Sequence, residues 1–260
     1  MQSRIMSWSE LNEKGIGRFI SLEKYGLSTF LLKIIAVVTM FIDHFALLFC
    51  SDYRTLYVLF RSVGRLSFPI FCFILAEGFF HTSNRMKHAI RLGVFALLSE
   101  IPYDMMYGKV IFMSQQNVMF TLFIGYMLIW GLSLIADYRV NYPKSLLMYV
   151  GAGHLNLILE LVVIIAGLSS AYFLKCSYSY AGVMLIMCFY VFRQHHLGKL
   201  FSNIVFNMGM YTFGIQWWGA ASVFPIALYN GKLGKTDRKH LFYLFYPLHI
   251  LGLVILKIIL

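Results

Sequence analysis

Long apolar runs separated by short polar stretches dominate the chain from about residue 31 onwards. A bilayer core about 30 Å thick requires roughly 20 apolar residues of helix. The pattern therefore predicts an all-α, polytopic bundle of about nine transmembrane helices, within a range of eight to ten. The apolar stretch 145–152 is a further candidate for a re-entrant or interfacial helix. The predicted spans are 31–50, 57–80, 89–107, 117–136, 155–175, 178–193, 199–214, 216–230 and 241–259.

Composition supports a membrane protein rather than a soluble one. Hydrophobic residues make up 60% of the 260 residues and charged residues only 13%, against about 45–50% and about 25% in soluble domains. Residues 1–28 carry Glu10, Glu13 and Glu23 and no apolar core, so we expect no cleavable signal peptide there. We divide the chain into a cytoplasmic or interfacial segment, 1–28, and a transmembrane domain, 29–260.

The basic residues predict the orientation of the bundle. The formal net charge is +11, but the Lys and Arg residues form short clusters between apolar runs, which argues against a nucleic-acid partner and for a lipid bilayer. Fifteen of the 22 fall in the loops that would share a side with the N-terminus, and only four in the loops opposite. This asymmetry predicts a cytoplasmic N-terminus and an external C-terminus.

The first span carries ionisable side chains at membrane depth. Lys33 and His44 are eleven residues apart, close to three helical turns, so they share one face. Asp43 lies about 100° round the helix from His44, which leaves it able to pair with an Arg of the second span. Two interpretations stay open: the His and Asp act chemically, or they only join helices by hydrogen bonds.

The second span carries two guanidiniums. Arg61 and Arg65 are spaced i, i+4 and project from one face, and Gly64 and Pro69 allow close packing and a kink. Their bidentate geometry suits carboxylates or phosphates. The alternative is that both lie near the outer interface and extend their charges towards water.

Further polar residues recur along the apolar spans. Ionisable groups at membrane depth usually face the interior of a bundle. The shared depth of eight residues in the middle or outer half predicts one polar cavity lined by the first four spans and the last one: His44, Arg61, Arg65, Glu100, Asp104, Asn117, Thr121 and His249. Glu77 instead lies at the inner end of its span, beside basic residues that either hold an anionic ligand or only enforce topology. The residues assigned to the substrate or cavity are Glu77, Glu100, Asp104, Asn117, Thr121, Tyr246 and His249.

Several classes of enzyme lose support because their motifs are missing. The chain contains no GxSxG, Walker loop, HExxH or GxGxxG, the signatures of serine hydrolases, ATPases, zinc proteases and dinucleotide enzymes. The four cysteines form no CxxC or Cys/His spacing, so no metal site is predicted. A His in a water-poor cavity can act as a general base, which leaves acyl transfer or proton-coupled transport.

The segments LKIIAVVTMFIDHFALLF and GRLSFPIFCFILAEGF resemble the TraX family, named for a protein of conjugative pilus maturation. SYSYAGVMLIM and FYLFYPLHILGL also resemble that family, so the likeness runs from about Leu31 to Leu260. It implies a multi-pass protein of the bacterial inner membrane that acetylates the N-terminal amine of pilin, with acetyl-CoA as donor. Lys33 and His44 are also similar to the basic residue and His of the acyltransferase type-three enzymes, where the basic residue is typically Arg.

The resemblance implies a role for each group of residues. His44 is the expected catalytic base, Arg65 the oxyanion stabiliser, and Asp43, together with His249, the group that holds the site in register. The acceptor is an amine or hydroxyl of a peptide or glycan, pilin being one possibility. The rival hypotheses are a proton- or anion-coupled transporter and a non-enzymatic assembly factor. The residues assigned to acetyl-CoA are Lys33, Arg61, Arg85, Lys87 and Arg91.

Overall fold

The fold is a bundle of helices, as the apolar pattern predicts. The structure is a computed structural model that describes residues 26–109, 114–138, 152–210, 214–234 and 239–260. Nearly all of the predicted segment 1–28 and of the stretch 145–152 lies outside those residues. The helices are α1 Thr29–Phe49, α2 Arg54–Gly64, α3 Ser67–His81, α4 Arg85–Met106, α5 Val118–Tyr138, α6 Ala152–Phe173, α7 Ser179–Val191, α8 His196–Gly209, a 3₁₀ helix Ile215–Ser222, α9 Val223–Ala227 and α10 Lys239–Ile259.

Five segments of the described chain are long and apolar enough to cross a bilayer. Four of them match predicted spans closely, and the fifth joins α2 and α3. The total number of spans and their orientation stay predictions, because α4 carries five charged residues and α7 and α8 are short. The five segments are Thr29–Phe49, Arg54–His81, Val118–Asp137, His154–Phe173 and Phe242–Ile259.

The predicted second span is one apolar segment, Arg54–His81, interrupted between the helices α2 and α3. The α2 helix ends at Gly64 and α3 begins at Ser67. Pro69 has no N–H to donate to the carbonyl of Arg65, one turn earlier, so the helical ladder fails at that point. The break places Arg65 just after the end of α2, where its backbone stays helical and its N–H still bonds to the carbonyl of Arg61.

The α3 helix is the centre of the bundle, since nearly all its residues from Ser67 to Phe79 are buried. It packs against α1, α5 and α7, while α10 fits between α1 and α4. The α6 helix lies at the periphery of the bundle, because only 11% of its most apolar 18-residue stretch is buried. The predicted eighth span, 216–230, is instead the 3₁₀ helix followed by α9, both packed against α8.

The helix ends gather at two opposite ends of the bundle. At one, Thr29 donates its backbone N–H to Lys232 and Arg85 lies 3.8 Å from Asp137. We call this the basic end, because it carries Arg85, Lys87, Arg91, Arg193, Lys199 and Lys232. At the other, which we call the distal end, Gln116 pairs with Cys176. The described basic residues near the distal termini are Arg54, Lys109, Lys175 and Lys257.

Candidate functional site

An ion cluster of the buried Asp43 and the partly buried Arg61 and Arg65 joins α1 to α2. Asp43 accepts hydrogen bonds from Arg61 Nη1 at 2.7 Å and from Arg65 Nη2 at 2.5 Å. The i, i+4 spacing directs both guanidiniums to the same side of α2. Gly64 lets the helices approach, because a Cβ there would lie 2.3 Å from the Cβ of Asp43. The prediction that Asp43 pairs with an Arg of the second span is therefore matched by the geometry.

Two imidazoles meet beside this cluster. His44 Nδ1 lies 2.7 Å from His249 Nε2, and His249 Nδ1 lies 2.7 Å from the carbonyl oxygen of Phe245. A carbonyl oxygen only accepts, so we assign the proton of neutral His249 to Nδ1. Its Nε2 then accepts from His44 Nδ1–H. The lone pair of His44 is thereby assigned to Nε2, the atom that a general base requires.

A tyrosine completes the polar group from the start of α7. Arg65 Nη1 donates to Tyr178 Oη at 3.2 Å. Tyr178 has a left-handed backbone, with φ of 65°, and its ring stacks on Phe68 at 3.7 Å between centroids, tilted by only 4°. The stack and the backbone turn hold the phenol against the guanidinium, which polarises its O–H.

These groups line a cavity of about 310 Å³ at the distal end. Its wall draws on α1, α2, α3, α4, the start of α5, the residues before α7, the 3₁₀ helix and α10. Hydroxyl and amide side chains supply much of its polar surface beyond the ion cluster and His44. Those additional residues are Ser67, Tyr103, Tyr107, Gln115, Ser177, Tyr178, Gln216 and Tyr246.

The cavity wall carries a net positive charge. One carboxylate, Asp43, faces two guanidiniums, and the neutral imidazoles add none, which leaves a net charge of +1. Arg61 Nε is buried and has no hydrogen-bond partner among the described residues. Such an orphaned donor is uncommon in native structures and marks a place where an acceptor atom would be stabilised. The cavity therefore suits an anion or a developing oxyanion.

Five of the residues assigned from sequence share this wall: Asp43, His44, Arg61, Arg65 and Tyr246. His249 does not line the cavity; it lies behind His44 and is hydrogen-bonded to it. The central geometric expectation, that one imidazole and two guanidiniums from different spans converge on one cavity, matches the structure. The chemical roles of these residues stay predictions.

Four other assigned residues lie behind the wall instead of on it, which corrects the predicted lining. Asn117 donates to Glu100 and to the carbonyl of Ala96, and its Oδ1 accepts from the backbone of Met119, so it caps α5 and joins it to α4. Thr121 donates to the carbonyl of Ser177. Asp104 is buried on α4, one turn beyond Glu100. Common depth did not put Asn117, Glu100 and Thr121 on the cavity because their side chains bond to neighbouring helices and connections.

The remaining assigned residues lie near the basic end and form no part of this cavity. Arg85 contacts Ser133 and the ring of Phe79. Glu77 contacts Arg193 at 3.5 Å and Lys199 at 3.7 Å, rather than the basic loop that follows it. Lys33 shares the face of His44 but is about 16 Å down the helix axis. The members of this group are Lys33, Glu77, Arg85, Lys87 and Arg91.

Sequence reasoning missed the aromatic and amide part of the wall. Tyr178 and Gln216 are the first residues of the predicted spans 178–193 and 216–230, where a polar residue at the end of an apolar run marks only a boundary. Tyr103 and Tyr107 are spaced i, i+4 on α4, a pattern that could have indicated a shared face. Among the described residues, no group of three or more His, Cys, Asp or Glu is arranged to hold a metal ion.

Comparison with known proteins gives two matches. A family model described as "TraX protein" matches residues 28–257. A "Probable fimbrial assembly protein FimC, serogroup H1" of Dichelobacter nodosus is 29% identical over 247 residues, covering 86% of this chain and 93% of that protein. No solved structure matches. The residues on the cavity wall all lie within the range that the family model covers.

Proposed function

Because this chain belongs to the TraX family, we propose that it is a membrane acetyltransferase that moves an acetyl group from acetyl-CoA to an amine or hydroxyl acceptor. One observation carries the proposal. His44, oriented by His249, lines a 310 Å³ cavity together with the ion cluster of Asp43, Arg61 and Arg65, which has a net positive charge. A base beside a preorganised positive group is what acyl transfer requires.

His44 acts as the general base in the proposed reaction. Its Nε2 takes a proton from the acceptor as the nitrogen or oxygen of the acceptor attacks the thioester carbonyl. A C–N or C–O bond forms, the C–S bond breaks, and the imidazolium returns its proton to the departing thiolate. Free ammonium is a poor occupant of a positive cavity, so the acceptor enters neutral or loses its proton to His44.

The positive cluster stabilises the tetrahedral intermediate. Arg65 and Tyr178 are hydrogen-bonded to each other, so the guanidinium strengthens the phenol as a donor. Arg61 adds a second positive charge to the same wall. Asp43 does not contact the substrate. Its place between the two cations fixes where they point and prevents them from repelling each other.

The donor and the acceptor approach from opposite ends. The basic end faces the cytoplasm by the positive-inside rule, where the phosphates of acetyl-CoA meet arginines and lysines. The distal end, with the cavity, then faces outwards from the bacterial inner membrane. The family and the fimbrial name of the relative support an acceptor related to pili, and pilin is the candidate that we favour.

A second candidate is a pilus-related assembly protein without enzymatic activity. The name of the relative from Dichelobacter nodosus supports it, since that name describes assembly and no reaction. In that case the buried polar residues only hold the helices together. Loss of His44 would then leave pilus-related function intact whenever the protein folds.

The test is transfer of labelled acetyl from acetyl-CoA by the purified protein in detergent, to water or to a pilin N-terminal peptide. His44→Ala should lower the rate by about 10²- to 10⁴-fold, the usual contribution of a general base. His154→Ala, which alters an exposed histidine on peripheral α6, is the matched control and should retain the rate. No transfer by the wild type, or an unchanged rate in His44→Ala, would exclude the acetyltransferase.

A further inference from the structure

A second hollow lies at the distal end, beside the cavity that contains His44. It is a groove of about 440 Å³ between the last turns of α1, α4 and α10, within the range of about 300–1,000 Å³ that is typical of ligand pockets. We call it the distal groove. Its lining residues are Leu48, Met105, Met106, Gly108, Lys109, Val254, Lys257 and Ile258.

The floor of the distal groove is apolar. Leu48, Met106 and Val254 are buried and come from three different helices, and Ile258 adds an exposed aliphatic side chain at the edge. The described lining includes no hydroxyl, amide or carboxylate side chain. In this the groove differs from the cavity beside His44, whose wall is rich in hydroxyls and amides. The floor therefore suits a flexible hydrocarbon chain rather than a polar substrate.

Two exposed lysines lie at the edge of the distal groove. Lys109 follows the end of α4 by three residues, and Lys257 lies in the last turn of α10. A lysine at the end of a membrane helix extends its ammonium group to the depth of the lipid headgroups. Because the charged side chains of the described lining are both cationic, this edge attracts phosphate.

The distal groove and the cavity beside His44 share a wall. Met106 lines both of them, and its neighbours Tyr103 and Tyr107 line the cavity. The adjacent residues Leu47 and Leu48 of α1 are divided in the same way, one lining the cavity and the other the groove. An occupant of the groove would therefore pack directly behind the end of α4 that carries the two tyrosines.

We infer that the distal groove binds an anionic phospholipid, with one acyl chain on its apolar floor and the phosphate at Lys109 and Lys257. The apolar floor and the cationic edge match the two halves of such a molecule, which the surrounding bilayer supplies. Free phosphate would leave the apolar floor uncovered, and a zwitterionic lipid would bring its own cation to the lysines. Binding changes no covalent bond and does not depend on acetyl transfer.

The test is thermal unfolding of the full chain in detergent, freed of co-purified lipid, with dioleoylphosphatidylglycerol, dioleoylphosphatidylcholine or inorganic phosphate added. At about 100 times its dissociation constant, the anionic lipid should raise the unfolding temperature by about 5–10 °C, and the other two additives should not. Lys109→Gln combined with Lys257→Gln removes two charge-assisted hydrogen bonds, each worth about tenfold in affinity. The shift with the anionic lipid should then fall to about 1–2 °C.

Arg54→Gln combined with Lys175→Gln is the matched control, because it removes the same charge from exposed distal residues outside the groove lining. It should retain the full shift, and an equal loss there would mean only general attraction to positive charge. An equal shift with phosphatidylcholine would mean an unspecific lipid shell, and one with inorganic phosphate a site for a free anion. A full shift in the groove variant would mean that the lysines only stabilise the helix ends. Each of these results, or no shift with any additive, overturns the inference.

Discussion

The two ends of the bundle each bury one carboxylate between two cations, yet the two clusters differ in geometry. At the distal end Asp43 lies 2.7 and 2.5 Å from its two arginines. At the basic end Glu77 lies 3.5 and 3.7 Å from Arg193 and Lys199. The distal cluster is tightly hydrogen-bonded, and the basic one is loose.

The neighbours of each cluster differ even more than the distances. The distal cluster lies beside two hydrogen-bonded imidazoles and a cavity. At the basic end, Arg193 lies over the ring of Phe80 at 4.1 Å and Lys199 over that of Phe73 at 5.3 Å. The same three charges therefore suit different tasks in the proposed function: fixed donors beside a base suit acyl transfer, and cations over rings suit binding at an aqueous surface.

The sharpest way to test this contrast is to remove each carboxylate. Asp43→Ala leaves two partly buried guanidiniums without a counter-ion and should lower the free energy of unfolding by about 3–5 kcal/mol. Glu77→Ala should cost less, about 1–2 kcal/mol, because its contacts at 3.5 and 3.7 Å are longer, even though Lys199 is at least as enclosed as the two arginines. Thermal unfolding in one detergent measures both. Equal losses would mean that the two clusters are equivalent.

The second test concerns the orientation of His44. His249→Gln keeps an amide oxygen to accept from His44 Nδ1 and an amide N–H to donate to the carbonyl of Phe245. His249→Leu keeps a similar volume and does neither. We expect the Leu variant to lose about 10- to 100-fold in kcat with KM unchanged, as for other residues that orient a functional imidazole. If kcat of the Gln variant is close to that of the wild type, the loss in the Leu variant is due to the orientation of His44 and not to packing. Equal rates in the two variants would contradict the assigned tautomers.

The apolar pattern predicted the helical architecture because membrane helices must be both long and apolar. It failed for the predicted span 216–230, where Ile215–Ser222 forms a 3₁₀ helix. Composition alone does not distinguish a short helix packed on α8 from a span. In the sequence, the break after α2 is indicated by Pro69, because its missing N–H interrupts the helical hydrogen bonds.

For the site, i, i+4 spacing and depth identified Arg61, Arg65 and His44, because those rules act within one helix. They did not identify which helix faces which. Asn117 and Glu100 have the correct depth but bond to each other behind the wall. Tyr178 and Gln216 stand at the first positions of predicted spans, where periodicity does not tell which neighbour a side chain faces, so only three-dimensional packing could assign them.

A third test uses two glycines of the same continuous segment. Gly64 faces Asp43, and a Cβ there would meet its side chain at 2.3 Å, whereas a Cβ at Gly78 meets nothing within 4 Å. Gly64→Ala should therefore lower the free energy of unfolding by about 1–3 kcal/mol through overpacking, and reduce acetyl transfer with it. Gly78→Ala should be neutral or stabilise the helix by up to about 1 kcal/mol. A well-folded, fully active Gly64→Ala protein would mean that close approach of α1 and α2 is dispensable.

The smallest expected effect concerns the ring stack behind Tyr178. Phe68 stacks on it at the distal end, while Phe79, equally buried, contacts Arg85 and Tyr126 at the basic end. Replacing either by Leu removes a similar apolar area, so the two variants should unfold at similar temperatures. Only Phe68→Leu loosens the phenol that Arg65 polarises, and an aromatic pair is worth about 0.5–1.5 kcal/mol beyond its area. That energy corresponds to a decrease of about three- to tenfold in kcat for Phe68→Leu and none for Phe79→Leu. An equal decrease in both would show that the rate follows general packing of α3, and that the tyrosine is not held for chemistry.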